Sequence, residues 1–475
     1  MANETDPVCA LLGAPPGSAV HLVGVGGIGM AGLAIHLSGR GLAVSGCDAA
    51  RNRLTDDLER RGLRFAQGHD PAHLDGGIRW VVRSTAVPES SDEIRAARAI
   101  GIPVLSRGAV LAALLEGRDS VAVGGTHGKT TTTAMIAQAL RQGGRDPGYC
   151  IGGEVDLLGG VAGVGGGTLL VVEADESDGT LALYRPDIAV VTNIELDHLE
   201  HFDGEAGLVD CFERFVKAAR RRVIFCADDP RAAALCADLP AARSYGWAPA
   251  AEVRGTVLDS NADGVRVEVA VRGRRAGAFR LPVGGVHNAQ NALAAVAVAE
   301  ELGVPFEAAA EALAGFCPAR RRFEIVAAAR GVTVVSDYAH HPTEIRAVMR
   351  TAAAFPARRR RVVFQPHRYT RTRALGPEFP PAFEGADEIL LLPVYAASEP
   401  PLEGGTADDL LRHFRAFGGA PVRLEASLEE ARGALRRSLR SGDLLLVIGA
   451  GDVEQLAGWA RDDLMEGVSG EEGSA

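Results

Sequence analysis

Residues 121–133, Val-Ala-Val-Gly-Gly-Thr-His-Gly-Lys-Thr-Thr-Thr-Thr, followed by an Ala/Ile/Leu-rich run to Leu140, constrain this chain more than any other stretch. A short β-branched run, a glycine turn, Lys-Thr and a helical run predict a strand–turn–helix unit that presents backbone N–H groups to a polyphosphate. Glycines let the backbone approach the oxygens, and the helix N-terminus adds favourable partial charge. The lysine neutralises outer phosphates, and the first threonine hydroxyl reaches Mg²⁺. The spacing is not the commonest one. That form places its first glycine five residues before the Gly-Lys pair, where this chain has Val123; here Gly124 and Gly125 precede Gly128 by four and three residues.

Composition supports the lysine. Of 50 Lys+Arg residues only Lys129 and Lys217 are lysines. A compact point charge fits a phosphate cradle where a planar guanidinium would clash. Lys217, on the run after Phe212, reads as a surface residue.

At 475 residues, two or three domains are expected. Hydrophobic content of 47% and a charged fraction of 23% are those of a soluble globular chain. A net charge of −11 argues against bulk binding to nucleic acid or an anionic membrane. The Arg358–Arg361 cluster reads as a solvated face. The first residues carry acids where a signal peptide carries bases, and no apolar run approaches membrane-spanning length. Seven scattered cysteines without a Cys-x-x-Cys pair read as neither disulfides nor a zinc site. The expected location is a reducing cytoplasm.

Residues 1–117 form the first expected domain. His21-Leu-Val-Gly-Val-Gly-Gly-Ile-Gly reads as strand, glycine turn and helix, and Gly24, Gly26 and Gly29 give G-x-G-x-x-G. The next strand ends in Asp48, placed to meet a ribose hydroxyl. Trp80–Ala86 is a later strand carrying Ser84 and Thr85 at its end. The motif reports a nucleotide pyrophosphate at a helix N-terminus and does not separate NAD from a UDP-sugar.

Residues 118–318 form the second. After the loop, Gly152–Gly167 reads as turns and a mobile loop. Thr168–Asp178 is a buried strand delivering carboxylates, with Glu173 at its tip the best Mg²⁺ candidate; Asp175, Glu176 and Asp178 read in part as a solvated acidic loop. Ile188–His198 repeats the pattern, and His198 beside Asn193, Glu195 and Asp197 becomes a metal or phosphate ligand. His287-Asn-Ala-Gln-Asn opens an alanine-rich helix. Asn288 either caps it or meets a base.

Residues 319–466 form the third, with 467–475 expected as a disordered tail. Gly331–Glu344 is a strand, a polar cluster and a helix with Pro342 in its first turn. His340-His341 lacks further ligands at metal spacing. Arg361–Thr372 adds His367, Arg368 and Arg371 at another strand end. Those arginines suit structural ion pairs or carboxylate recognition, and their clustering favours the latter.

The segments Gly-Thr-His-Gly-Lys-Thr-Thr, Glu-Ala-Asp-Glu-Ser-Asp, Thr-Asn-Ile-Glu-x-Asp-His and His-Asn-x-x-Asn, in this order, resemble the Mur ligase family. The later Asp-Tyr-x-His-His-Pro-Thr-Glu and Phe-Gln-Pro-His-Arg-Tyr-Thr-Arg-Thr stretches extend the resemblance over nearly the whole chain. The family's first C-terminal motif usually begins Asp-Asp; this chain has Ser336-Asp337 and keeps the second acid.

The resemblance implies an α/β fold of three domains: a Rossmann-like N-terminal domain, a central P-loop-type ATPase domain and a Rossmann-like C-terminal domain. It implies ATP-dependent ligation of L-alanine to UDP-N-acetylmuramate through an acyl phosphate, by a monomer or homodimer with Mg²⁺ or Mn²⁺. On it, Gly26, Gly27, Ile28, Gly29, Asp48, Ser84 and Thr85 would hold the UDP-sugar. ATP would meet Gly125, Thr126, His127, Gly128, Lys129, Thr130 and Thr131, with His287, Asn288 and Asn291 at adenine, Asp337 at the ribose and Arg322 at the phosphates. Thr130, Glu173 and His198 would hold metal, with Lys129, Glu173 and His198 catalytic, and Tyr338, His340, His367, Arg368 and Arg371 would orient the amino acid. His127 separates subtypes without an evident chemical duty. The rivals are a related ligase that takes a preformed peptide, an NAD-dependent oxidoreductase, and a non-catalytic nucleotide-gated binding protein.

Overall fold

A computed structural model describes residues 6–197, 201–202 and 204–469. Three sheets follow one another along the chain. The first is β1 (Ala19–Val23), β2 (Ala43–Asp48), β3 (Arg64–Gln67), β4 (Ile78–Arg83) and β5 (Val104–Ser106). All its pairings are parallel, in the order β3-β2-β1-β4-β5. The order reverses at β1, and the crevice outside the strand ends there is where an open α/β sheet binds ligands. The glycine turn and helix Ile28–Gly39 leave β1 at that point. His36 of this helix hydrogen-bonds the Tyr149 carbonyl across 2.9 Å, docking the first sheet on the second.

The second sheet has ten strands. In chain order they are β6 (Ser120–Gly124), β7 (Gly148–Val155), β8 (Gly160–Gly163), β9 (Leu170–Glu173), β10 (Ile188–Val191), β11 (Arg222–Cys226), β12 (Ala242–Gly246), β13 (Val253–Asn261), β14 (Gly264–Val271) and β15 (Arg274–Leu281). They lie in the order β15-β14-β13-β12-β11-β10-β6-β9-β7-β8. Its centre is parallel, and β6 and β10 are buried throughout and, Ser120 apart, free of polar side chains, as strands covered on both faces must be. Helix Lys129–Gln142 packs beside the alanine-rich helix Val286–Glu301, whose small side chains permit close approach; both are deeply buried.

The stretch 152–167 is not a mobile loop. Part of it belongs to β7 and β8, which pair antiparallel through Tyr149↔Gly163 and Cys150↔Ala162. Its glycines signal turns, but Tyr149, Ile151 and Val155 supply the buried apolar positions that make a strand.

The third sheet is β16 (Glu324–Ala329), β17 (Val332–Asp337), β18 (Arg359–Phe364), β19 (Glu388–Leu391), β20 (Val422–Leu424) and β21 (Asp443–Ile448). Their order is β16-β17-β21-β18-β19-β20, parallel except for β16. The arginine cluster at β18 is a solvated face only in part: Arg358 is exposed, but the residues after it are tied down. Arg361 is 2% exposed and donates to Glu388 and to Ser438 Oγ, while Arg359 grips Asp443 through two hydrogen bonds. The last helix runs Glu454–Ser469, so residues 467–469, expected in a tail, are helical. Among the described residues, no helix is long and apolar enough to cross a membrane.

Candidate active site

Three parallel strands, β6, β9 and β10, lie side by side and end together, which places the groups following each of them in one place. The loop after β6 is tight. Gly125 adopts φ +140°, and a Cβ there would stand 1.9 Å from Thr192 Oγ1; one on Gly128, at φ +79°, would stand 2.8 Å from Asn291 Oδ1. Side chains are excluded at both, so the shortened glycine spacing is dictated by neighbours from β10 and the Val286–Glu301 helix.

Gly128 then leads into the helix at Lys129. Lys129 Nζ donates to the Gly125 carbonyl at 2.6 Å and to both Glu176 oxygens at 2.9 Å. Burial disfavours its charge, but Glu176, Asp175 and Glu173 outweigh that and raise its pKa. Thr130 Oγ1 donates to Glu173 at 3.1 Å, and the Gly152 N–H donates to the other Glu173 oxygen at 2.6 Å. A hydroxyl and a carboxylate, both hard oxygen donors beside a phosphate-binding helix terminus, fit Mg²⁺ or Mn²⁺. His198 lies outside the described residues.

The loop backbone is fixed from β10. The His127 N–H donates to Asn193 Oδ1 at 2.8 Å, and the His127 carbonyl accepts from Asn193 Nδ2 and Thr192 Oγ1. The His127 ring reaches across to the third domain. Its Nε2 is 2.8 Å from Glu195 and its Nδ1 is 3.2 Å from Glu344, so both nitrogens donate and the ring is an imidazolium. Burial opposes that charge, yet hydrogen bonds to the two carboxylates raise the pKa to about 9.

Glu344 is in position because it completes a capping box. It accepts from the His340 and His341 N–H groups at the start of helix Pro342–Ala353, where Pro342 stands at the first turn. One carboxylate thus caps a helix of the third domain and holds the loop of the second. A second tie is buried: Arg371 Nη2 donates to both Asp197 oxygens at 3.0 Å.

Two cavities meet at the loop. One, of about 420 Å³, is lined by Gly128, Thr131, His287, Asn288, Asn291, Arg322 and Asp337. The other, of about 430 Å³, is lined by Gly27, Ile28, Gly29, Ser84 and Thr85 from the first domain and by Thr126, Lys129, Thr130 and Glu173 from the second. Tyr338, His340, His367, Arg368 and Arg371 of the third domain complete it. His127, Gly128, Arg322 and Glu344 border both.

The nucleotide-side groups are mostly held by their own backbone. Asp337 accepts from the Phe323 and Ala339 N–H groups at 2.7 Å, and burial raises its pKa to about 6 although Arg322 works against this. Burial, aided by Arg350 and Arg322, lowers His287 to about 4. Asn288 does not cap its helix; its side chain donates back to the Gly284 carbonyl at 2.8 Å. On the other side, burial lowers His340 to about 4 and His367 to about 2, so both rings are neutral. His340 Nδ1 donates to the Tyr338 carbonyl at 3.0 Å, and His367 stacks on Tyr395 at 5.6 Å. Arg322 lies over the Tyr338 ring, 5.3 Å from its centroid. Arg368 donates to Glu399 at 3.3 Å.

In the first domain, Asp48 accepts from the Gly26 N–H at 2.9 Å, which commits one of its oxygens to holding the glycine turn. Gly26 and Asp48 stand outside the two cavities. Sequence reasoning missed four participants: Glu176, Glu195 and Glu344 as partners of the loop, and Arg107, which lies over Gly29 and 3.7 Å from Asp175. Only Glu344 left a local signal, its capping-box position after Pro342.

Comparison with known proteins gives a consistent match across the chain. Residues 19–119 match the family model described as Mur ligase family, catalytic domain; 123–299 match Mur ligase middle domain; and 321–451 match Mur ligase, glutamate ligase domain. The chain is 44% identical over 438 residues to the UDP-N-acetylmuramate–L-alanine ligase of Acidothermus cellulolyticus, covering 91% of each. It is 45% identical to that of Kineococcus radiotolerans, covering 91% of this chain and 93% of the relative. Among solved structures, a UDP-N-acetylmuramate–alanine ligase from Thermotoga maritima superposes with a TM-score of 0.81 at 28% identity, covering 95% of this chain and 99% of the other.

Proposed function

Since the chain belongs to the Mur ligase family, we propose that it joins L-alanine to the lactyl carboxylate of UDP-N-acetylmuramate at the expense of ATP, in peptidoglycan precursor synthesis in the cytoplasm. The observation that carries the reading is the shared wall. The phosphate loop separates a cavity suited to a nucleotide from one where first-domain, Lys129 and third-domain groups converge. A phosphoryl group that crosses the loop passes from one chamber to the other.

A carboxylate is a poor electrophile, because its oxygen leaves badly and its charge repels nucleophiles; phosphorylation corrects both. ATP lies with adenine at His287, Asn288 and Asn291, ribose at Asp337, and phosphates along Gly125–Thr131 and Arg322. Gly27, Ile28, Gly29, Ser84 and Thr85 hold the UDP-sugar. Lys129 gives up Glu176 in part and places its charge on the transferring phosphoryl group, where positioning and electrostatics supply most of the rate. Thr130 and Glu173, with His198, would hold Mg²⁺ or Mn²⁺, which supplies charge neutralisation around the phosphates when bound. The neutral His340 and His367, with Tyr338, Arg368 and Arg371, receive the amino acid. Its free amine attacks the acyl phosphate, and the tetrahedral intermediate expels phosphate.

Incubation with ATP, Mg²⁺ and UDP-N-acetylmuramate, and then with single amino acids or a tripeptide, tests this by phosphate release and product mass. Phosphate release is expected to need both the UDP-sugar and L-alanine. Turnover with the tripeptide and none with alanine would overturn the assignment in favour of the peptide-adding branch.

A further inference from the structure

In the first domain, away from both cavities, four potential metal ligands converge from four elements: His21 on β1, Cys47 on β2, His73 in the turn Pro71–His73, and Glu93 on the helix Asp92–Ala99. Their candidate ligand atoms all lie within 4.8 Å of one another. Glu93, fully buried, is the hub. One of its oxygens is 3.0 Å from His21 Nε2 and 3.2 Å from His73 Nδ1, and the other accepts from Cys47 Sγ at 3.1 Å. Neighbouring ligands of a tetrahedral zinc, with bonds of about 2.0–2.3 Å, stand roughly 3.3–3.7 Å apart, so small side-chain shifts suffice.

His21 is the informative member. It is 2% exposed, and its Nε2 faces the Glu93 carboxylate at 3.0 Å, within hydrogen-bond reach. Its Nδ1 is 2.9 Å from Ser45 Oγ. Ser45 fixes the ring through Nδ1 and leaves Nε2 directed at the point where the other three ligand atoms converge, so a cation that enters would take the place of the proton shared with Glu93. A ligating histidine usually has this arrangement, with its remote N–H fixed by a polar neighbour.

We propose that His21, Cys47, His73 and Glu93 form a site for a zinc-class divalent cation. One sulfur, two imidazoles and a carboxylate select zinc over magnesium. Binding replaces the Cys47 S–H bond by a metal–thiolate bond and releases one proton to solvent. Because that proton is released, uptake strengthens with pH. The side chains of His73 and His69, 19% and 26% exposed, leave an approach from solvent. The role is bracing. The Cys47 carbonyl accepts from the Gly24 and Val25 N–H groups at 2.8 and 2.9 Å, and Asp48 holds Gly26, so the cation would stiffen the base of the glycine turn without touching substrate. Sequence spacing concealed the set, which is why the cysteines alone read as no zinc site.

The test uses the full chain, stripped with chelator and reloaded with Zn²⁺ alone or Co²⁺ alone. One zinc per chain is expected by elemental analysis, and the cobalt form should show tetrahedral visible bands with a thiolate-to-cobalt charge-transfer band. Cys47→Ser should abolish the charge-transfer band, and His73→Ala, at a partly exposed position that spares the fold, should weaken zinc at least about tenfold. Sub-stoichiometric zinc after reloading, or a charge-transfer band that survives in Cys47→Ser, would overturn the proposal.

Discussion

Replacing His127 by glutamine asks whether this ring is a charge tying the second and third domains together. Its nitrogens lie 2.8 Å from Glu195 and 3.2 Å from Glu344, one carboxylate from each domain. Burial works against the charge, but the pKa stands near 9 rather than 6.5, so the charged ring gains about 3 kcal/mol from its surroundings. Glu195 shares the second domain with His127 and keeps its hydrogen bond on opening, so only the Glu344 half, about 1–2 kcal/mol or roughly tenfold, bears on an open–closed equilibrium. With Glu195 still paired, the open-state pKa lies between 6.5 and about 9, so the Glu344 contribution is complete below that open-state value and is gone once pH passes about 9. Glu195 behaves oppositely. Burial opposes its ionisation, yet hydrogen bonds from His127 and Thr343 hold it near 2, so its contribution persists above pH 4.5 and is lost as pH falls toward 2. Small-angle scattering of the free protein from about pH 5 to 10 reads the domain arrangement directly. The wild-type chain is expected to open as pH rises toward and past about 9, while His127→Gln is already more open near pH 6 and flat over that rise. Superimposable curves for the two proteins would refute the reasoning.

The remaining predictions concern the loop and its metal. Lys129→Ala and Lys129→Arg are both expected to lower the ligation rate by about a hundredfold or more, while calorimetric affinity for the UDP-sugar stays within about twofold; an active Lys129→Arg enzyme would remove the point-charge argument. Glu173→Gln should raise the Mg²⁺ concentration needed for half-maximal rate about tenfold or more, and an unchanged magnesium requirement would remove Glu173 from the metal site.

What the sequence disclosed was local. Strand, glycine turn and helix follow one another within about 20 residues around Gly24–Gly29 and Gly124–Lys129, and there the amino-acid pattern and the fold agree. What it concealed was a matter of partners. Glu176 read as part of a solvated acidic loop, but the turn after β9 folds it against Lys129, where it is fully buried. Arg371 reads from sequence as a receptor for a substrate carboxylate or as half of a structural ion pair, and in the fold it pairs with Asp197, 174 residues earlier in the chain. The duty of His127 was invisible for the same reason, since its two acids come from elements 68 and 217 residues away. Glycine content misled once, at β7–β8, where alternating buried side chains outweigh it.

The scarcity of lysine has a practical corollary. The chain carries two side-chain amines: Lys129, 12% exposed and paired with Glu176, and Lys217, 62% exposed on the helix Gly204–Lys217. An amine-acylating reagent therefore meets one shielded nucleophile in the phosphate loop and one open nucleophile outside it, within the same molecule. The ratio of the two labelled peptides by mass spectrometry becomes an internally calibrated gauge of what occupies the loop. Inhibitors that enter the nucleotide chamber can be ranked by that ratio without a turnover assay, and without correcting for how much protein is present.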